Sequence, residues 1–180
     1  MKHYVFLANG FEDLDALSVI DIMRRAGLDV VTVSINETNV VTSAHNVPMI
    51  ADVLLSEVDF NTEGYLILPG GMPGTTNLWD CTALCEKVKA HAEAGRPTAA
   101  ICAAPLILGR LGLLEGKVAT CYPGFESELK GANCLSDGVV ISDNIITGKG
   151  PGKSFEFALV IVASLLGAEK ANEISSAMQY

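Results

Sequence analysis

The run Tyr65-Leu66-Ile67-Leu68 is apolar on both sides of its alternation and stops at Pro69-Gly70-Gly71. A strand with one face in water alternates polar and apolar residues. One that does not is covered on both faces, as in a parallel sheet between layers of helices. The neighbouring segments fit that arrangement. Tyr4–Ala8 is a short apolar run, Glu12–Ala26 has apolar residues at helical spacing and stops at Gly27, and Asp29–Ile35 is rich in β-branched residues. Together they read as one βαβ unit. Val40-Val41 and Val47–Ile50 are expected to form a small hairpin, and Leu54–Val58 a helical turn. A helix is expected from Thr82 to Ala94, a strand from Thr98, and short strands at Lys117–Thr120, Val139–Ser142 and Asn144–Thr147. The segments Gly152–Leu166 and Ala168–Met178 read as helices. No linker, repeat or low-complexity segment divides residues 1–180, so one α/β domain is expected.

Composition narrows the partners. With 49% hydrophobic residues the chain can bury a sizeable core, and its net charge of −9 argues against nucleic acid and anionic membrane surfaces. The N-terminal apolar run is too short for a signal peptide, and no stretch is long enough to span a bilayer. Five scattered cysteines give no disulfide framework, so a reducing cytoplasm is the expected location. Cys81 and Cys85 share a helix face, but His3, His45 and His91 offer no paired motif to complete a zinc site; no metal or other cofactor is expected.

Chemistry concentrates at Cys102. In Thr98-Ala99-Ala100-Ile101-Cys102-Ala103-Ala104-Pro105 an apolar strand breaks at one reactive side chain, and a proline-started helix follows at once. That is the pattern of a nucleophile elbow built around cysteine. A helix N-terminus and free N–H groups there would favour the thiolate, so a depressed thiol pKa is expected. Sites in parallel sheets gather at the C-terminal ends of strands, which also places Asn9–Glu12 and Pro69–Gly74 near the elbow. Glu12 is the carboxyl expected to share a proton with Cys102, whereas Asp13 and Asp15 read as ordinary first-turn charges. The N–H groups of Gly70, Gly71 and Ala103 are available as oxyanion donors.

These residues, in this order, resemble the DJ-1/ThiJ/PfpI superfamily and more closely its DJ-1-like branch. The resemblance rests on Gly10-Phe11-Glu12-Asp13, Leu68-Pro69-Gly70-Gly71, Ala100–Pro105 around Cys102, and Thr147–Gly152 before Ser154-Phe155-Glu156-Phe157-Ala158. It implies a flavodoxin-like, class I glutamine amidotransferase-like three-layer sandwich, a homodimer, and Cys102 as nucleophile or redox centre. Glu12 would be its protonated partner, and the Gly71 and Ala103 amides would face the reacting oxygen.

Two departures bear on activity. Protease-like relatives carry a histidine directly after the cysteine; here Ala103 stands there, and a Cys–His peptidase or amidase loses its base. Glyoxalases of this type carry a histidine before a downstream proline, where this chain has Tyr122 before Pro123. A phenol is a poor proton shuttle at neutral pH. His45 falls near where dimeric relatives bring a basic residue to the cysteine from the other subunit, although a solvated loop histidine is the simpler account. Two functions follow from the resemblance: a cofactor-free glyoxalase or deglycase acting on small dicarbonyls or glycated substrates, or a stress-responsive chaperone in which peroxide oxidises Cys102 to the sulfinic acid.

Overall fold

A computed structural model describes all residues, Met1–Tyr180. The apolar runs form a seven-stranded sheet. Its members are β1 (Lys2–Leu7), β2 (Asp29–Ser34), β5 (Val53–Leu54), β6 (Leu66–Leu68), β7 (Thr98–Ile101), β10 (Val139–Ser142) and β11 (Ile145–Gly148). The spatial order is β5-β2-β1-β6-β7-β11-β10, parallel throughout except for the β10–β11 hairpin.

Period-two alternation divides the core. Val5, Leu7, Ile67, Ala99 and Ile101 face α1 (Asp13–Arg25), α5 (Ser154–Leu166) and α6 (Ala168–Ala177). Tyr4, Phe6, Leu66, Leu68 and Ala100 face the other layer, made by α2 (Gly74–Asp80), α3 (Thr82–Glu93) and α4 (Pro105–Arg110). The result is the expected three-layer flavodoxin-like sandwich. The chain passes from β1 to one side into β2 and β5, and to the other side into β6 and β7. That switch opens a crevice above the C-terminal ends of β1, β6 and β7.

Two local expectations change, and one turn forms where it was expected. Residues 74–80 form α2, unforeseen because Gly74, Thr75, Thr76 and Asn77 are weak helix formers; its buried face rests on Thr75 and Leu78. The run at Lys117–Thr120 does not join the main sheet. Its core, β8 (Val118–Ala119), pairs in parallel with the two-residue β9 (Asn133–Cys134). The turn expected over residues 54–58 is a 3₁₀ turn at Leu55–Glu57 that follows β5. The hairpin of β3 (Val40–Thr42) and β4 (Pro48–Ile50) forms as expected, beside the start of α1.

Candidate active site

Cys102 sits one residue beyond β7 with φ +66°, a left-handed conformation that costs a non-glycine residue of order 1–3 kcal/mol. Its backbone is held on both sides. The Cys102 N–H donates to the Gly148 carbonyl at 2.9 Å, and the Tyr122 N–H donates to the Cys102 carbonyl at 2.7 Å. The turn aims the side chain toward the α1/α5 layer, while Ala104 two residues on joins the opposite layer. The elbow expected from sequence is therefore present as backbone geometry.

Glycine is required behind it. A Cβ on Gly70 would lie 2.5 Å from the Cys102 Cβ and 2.9 Å from Asp15 Oδ2. Gly71 has φ +92°, and a Cβ there would lie 2.3 Å from the Glu12 nitrogen. Gly71→Ala should therefore lose roughly 1–3 kcal/mol of stability, or more where the Glu12 loop cannot retreat. Urea unfolding with an unchanged midpoint would show that the loop is not constrained in this way.

The carboxyl against the sulfur is Asp15, which corrects the expectation that Glu12 fills this place and that Asp15 is a solvated first-turn charge. Asp15 is fully buried in the first turn of α1, and its charge acts on Cys102. Its Oδ1 accepts from Ser154 Oγ at 2.9 Å, while Oδ2 has no well-formed hydrogen bond and lies towards Gly70 and Cys102. The physical reason lies in helix geometry. Glu12 is the N-cap, outside the helical turns, with Oε1 turned back to the Leu14 N–H. Asp15 belongs to the buried stripe with Ser18, Val19 and Ile22, at spacings of three, four and seven. That spacing was the available signal: an acid on the apolar face of α1.

Burial pushes Asp15 up to about 7, against the Ser154 hydrogen bond and with help from the Glu12 charge. Burial also pushes the Cys102 thiol up to about 12, and the Asp15 charge adds to the rise. The Gly71 and Ala103 N–H groups oppose it. This reverses the expectation of a depressed thiol. Cys102 is only 7% exposed, and the helix expected to stabilise an anion is the six-residue α4. Each shift favours the protonated form, and whether a proton sits on the carboxyl or on sulfur decides whether sulfur is a nucleophile.

In front of the sulfur is a cavity of about 220 Å³ lined by Glu12, Gly71, Met72, Cys102, Ala103, Tyr122, Phe125 and Pro151. Glu12 and Tyr122 thus share the cavity with Cys102, and Gly70 packs behind it. His45 is not in the lining. It is an exposed residue of the β3–β4 turn whose Nδ1 lies 2.7 Å from Asp13 Oδ2 and 4.0 Å from Glu12 Oε2, and Asp13 raises its pKa. Glu12, Asp13 and His45 bring three metal-competent atoms within 4.8 Å of one another, all near the protein surface. A larger groove of about 700 Å³ between Leu54 and Lys87 is lined by no cysteine or histidine.

The DJ-1/PfpI family model matches residues 1–164. Protein DJ-1 homolog B of Arabidopsis thaliana is 42% identical over 176 residues, which are 97% of this chain and 40% of the plant protein. The chain spans about two fifths of the length of that protein and of its paralogue, homolog A. A Caenorhabditis elegans protein named glutathione-independent glyoxalase DJR-1.2 is 38% identical over 168 residues, 91% of this chain and 89% of that one. Among solved structures, oxidised Toxoplasma gondii DJ-1 superposes with a TM-score of 0.92 at 36% identity, covering 99% of this chain and 98% of its own. The elbow, the glycine loop and the sandwich around them place this chain in the DJ-1/PfpI family.

Proposed function

We propose that the protein is a glutathione-independent glyoxalase that converts small dicarbonyls to hydroxy acids through Cys102 and Asp15. The observation that carries this reading is Cys102 on the wall of a cavity it shares with Glu12, Gly71 and Ala103, with the buried Asp15 behind it. The named worm glyoxalase, similar over nearly its whole length, supports it.

In the reactive tautomer Asp15 holds the shared proton and Cys102 is the thiolate. The sulfur adds to the aldehyde carbon of methylglyoxal. A sulfur–carbon bond forms, the carbonyl π pair moves onto oxygen, and that oxygen takes the Asp15 proton while the two amides stabilise the developing charge. Glu12, on the cavity wall, removes the proton from the same carbon and returns it to the neighbouring one, while the hydroxyl proton of the adduct passes to the ketone oxygen, giving a hydroxyacyl thioester. Water cleaves the thioester and cysteine is restored, so the net reaction adds one water to methylglyoxal to give lactate. Tyr122 shapes the cavity and carries no proton in this scheme, so turnover is expected to be slow. Lactate formation from methylglyoxal without glutathione tests the proposal; no lactate, with the Cys102 thiol intact, would overturn it.

A second reading, in which Cys102 is oxidised rather than turned over, is supported by the structural relative described as oxidised and by polar groups around the sulfur able to bond a sulfinate. In either case we propose a homodimer. Of the apolar α1 residues, Ile20 and Ile22 are buried in the core, but Leu14 and Leu17 are exposed at 51% and 45%, and Ile50 on β4 is exposed as well. Light scattering should give twice the chain mass at micromolar concentration, and Leu17→Glu should shift it to one chain mass. A monomeric parent protein would end this part of the proposal.

A further inference from the structure

The cavity at Cys102 is polar at one end only. Glu12 and the Gly71 and Ala103 backbones stand with the cysteine, while Met72, Tyr122, Phe125 and Pro151 make the rest of the wall. Met72 and Tyr122 are each close to half exposed, and large apolar side chains left in water around one nucleophile form a contact surface for an apolar group. The Tyr122 ring lies over Gly150, where an added Cβ would come within 3.1 Å of it, so the glycine gives the ring room against the backbone.

The apolar wall continues past the ring. A second hollow of about 240 Å³, walled by Tyr122, Pro123, Pro151 and the turn from Lys149 to Lys153, shares Tyr122 and Pro151 with the first. Its surface is almost entirely carbon. Lys149 Nζ donates to the Ser136 carbonyl and Lys153 Nζ to Glu156 Oε2, both at 2.9 Å, and neither acceptor lines the hollow. The ammonium groups are drawn to partners outside, so the lysines add methylene stems to the wall. The prolines add ring carbons and no N–H donor. A charged group entering here would lose its water for few partners, whereas a hydrocarbon ring would lose no hydrogen bond.

We propose that Cys102 acts on arylglyoxals, α-oxoaldehydes that carry an aromatic ring, with the aldehyde carbon at the sulfur and the ring on Tyr122. The inference deepens the glyoxalase reading by naming a substrate class, and it rests on that reading for turnover alone. Methylglyoxal has only a methyl group to set against this wall. An aromatic ring covers it and meets the Tyr122 ring in an offset or edge-to-face contact, which makes Tyr122 a specificity-determining residue.

Alkylation of Cys102 tests the ring subsite without turnover. Bromoacetone and phenacyl bromide are α-bromoketones that differ only in a methyl or a phenyl group on the carbonyl. Each gives its methylene carbon to sulfur, bromide leaves with the bonding pair, and the thiol proton goes to buffer. Peptide mapping gives each rate at Cys102, normalised to the same reagent's rate on glutathione. The phenyl reagent should be favoured about tenfold in the parent protein. The preference should persist in Tyr122→Phe, which keeps the ring, and fall to about onefold in Tyr122→Ser. A parent preference near one, a preference unchanged in Tyr122→Ser, or no phenacyl label on Cys102 would overturn the proposal. In turnover, phenylglyoxal should give mandelate, with one water added as for methylglyoxal, at a kcat/KM about tenfold higher and with the gain in KM. A kcat/KM below that for methylglyoxal would remove the substrate class. Failure to convert either dicarbonyl beside an intact labelling preference would end the glyoxalase reading and leave the subsite. Lactate formation without any labelling preference would do the opposite.

Discussion

Cys102→Ala is expected to abolish lactate formation from methylglyoxal, and Asp15→Asn to lower kcat/KM by about 10²–10⁴-fold, the usual range for a positioned acid–base group. The asparagine keeps the volume and an acceptor for Ser154 Oγ but has no proton to share with sulfur. Glu12→Gln is the discriminating companion. In the proposed mechanism it blocks the carbon-to-carbon proton transfer after sulfur has added, so the hemithioacetal should accumulate on Cys102 and be visible by mass spectrometry. Asp15→Asn should instead slow formation of the adduct itself. A normal rate in Asp15→Asn, or the two variants behaving alike, would remove the assigned roles.

The same asparagine should make the protein more stable above pH 7. Folding raises the Asp15 pKa from 3.8 to about 7, so the folded state prefers the protonated carboxyl. Its contribution is fully present below pH 4 and is lost as pH rises to 7. Above that the ionised, buried group disfavours folding by about 4 kcal/mol at most. Asn carries no such charge, so Asp15→Asn should raise the unfolding free energy by up to about 4 kcal/mol at pH 8 and much less at pH 4. Burial lowers the pKa values of His3 and His91, and their contribution is lost in the other direction, as pH falls below 6.5. The difference between variant and parent, taken pH by pH, isolates Asp15. A difference that does not grow between pH 4 and 7 would show that Asp15 is not held protonated. Activity and stability here pull on one atom in opposite directions, as they commonly do at active sites.

The layered sheet was legible because continuous apolar runs and helical spacing report burial on two faces, and both survive in Tyr65–Leu68 and in α1. The elbow was legible because a strand, one reactive residue and a proline are adjacent in sequence. What was not legible depends on three-dimensional neighbours. Glu12 and Asp15 are both acids at the start of one helix; only the rotation of that helix against β7 decides which meets the sulfur, and three residues of helix turn one toward the core. The reversal of the Cys102 shift has the same origin. The thiolate expectation counted the helix behind the elbow, while the burial of Cys102 and its acidic neighbour come from α1 and the loops above. Residues of low helix propensity hid α2, and β8 and β9, two residues each, are too short to carry a period.

The bonds that hold Cys102 in its left-handed turn come from Tyr122 and Gly148, and the bond that orients Asp15 comes from Ser154. All three partners follow the cysteine in sequence, the last by more than fifty residues. A chain emerging from the ribosome N-terminus first therefore carries Cys102 as an ordinary flexible thiol until β11 and the start of α5 have docked. Chemical competence arrives with the last third of the polypeptide, so a truncated or stalled product would keep the cysteine and have no working site.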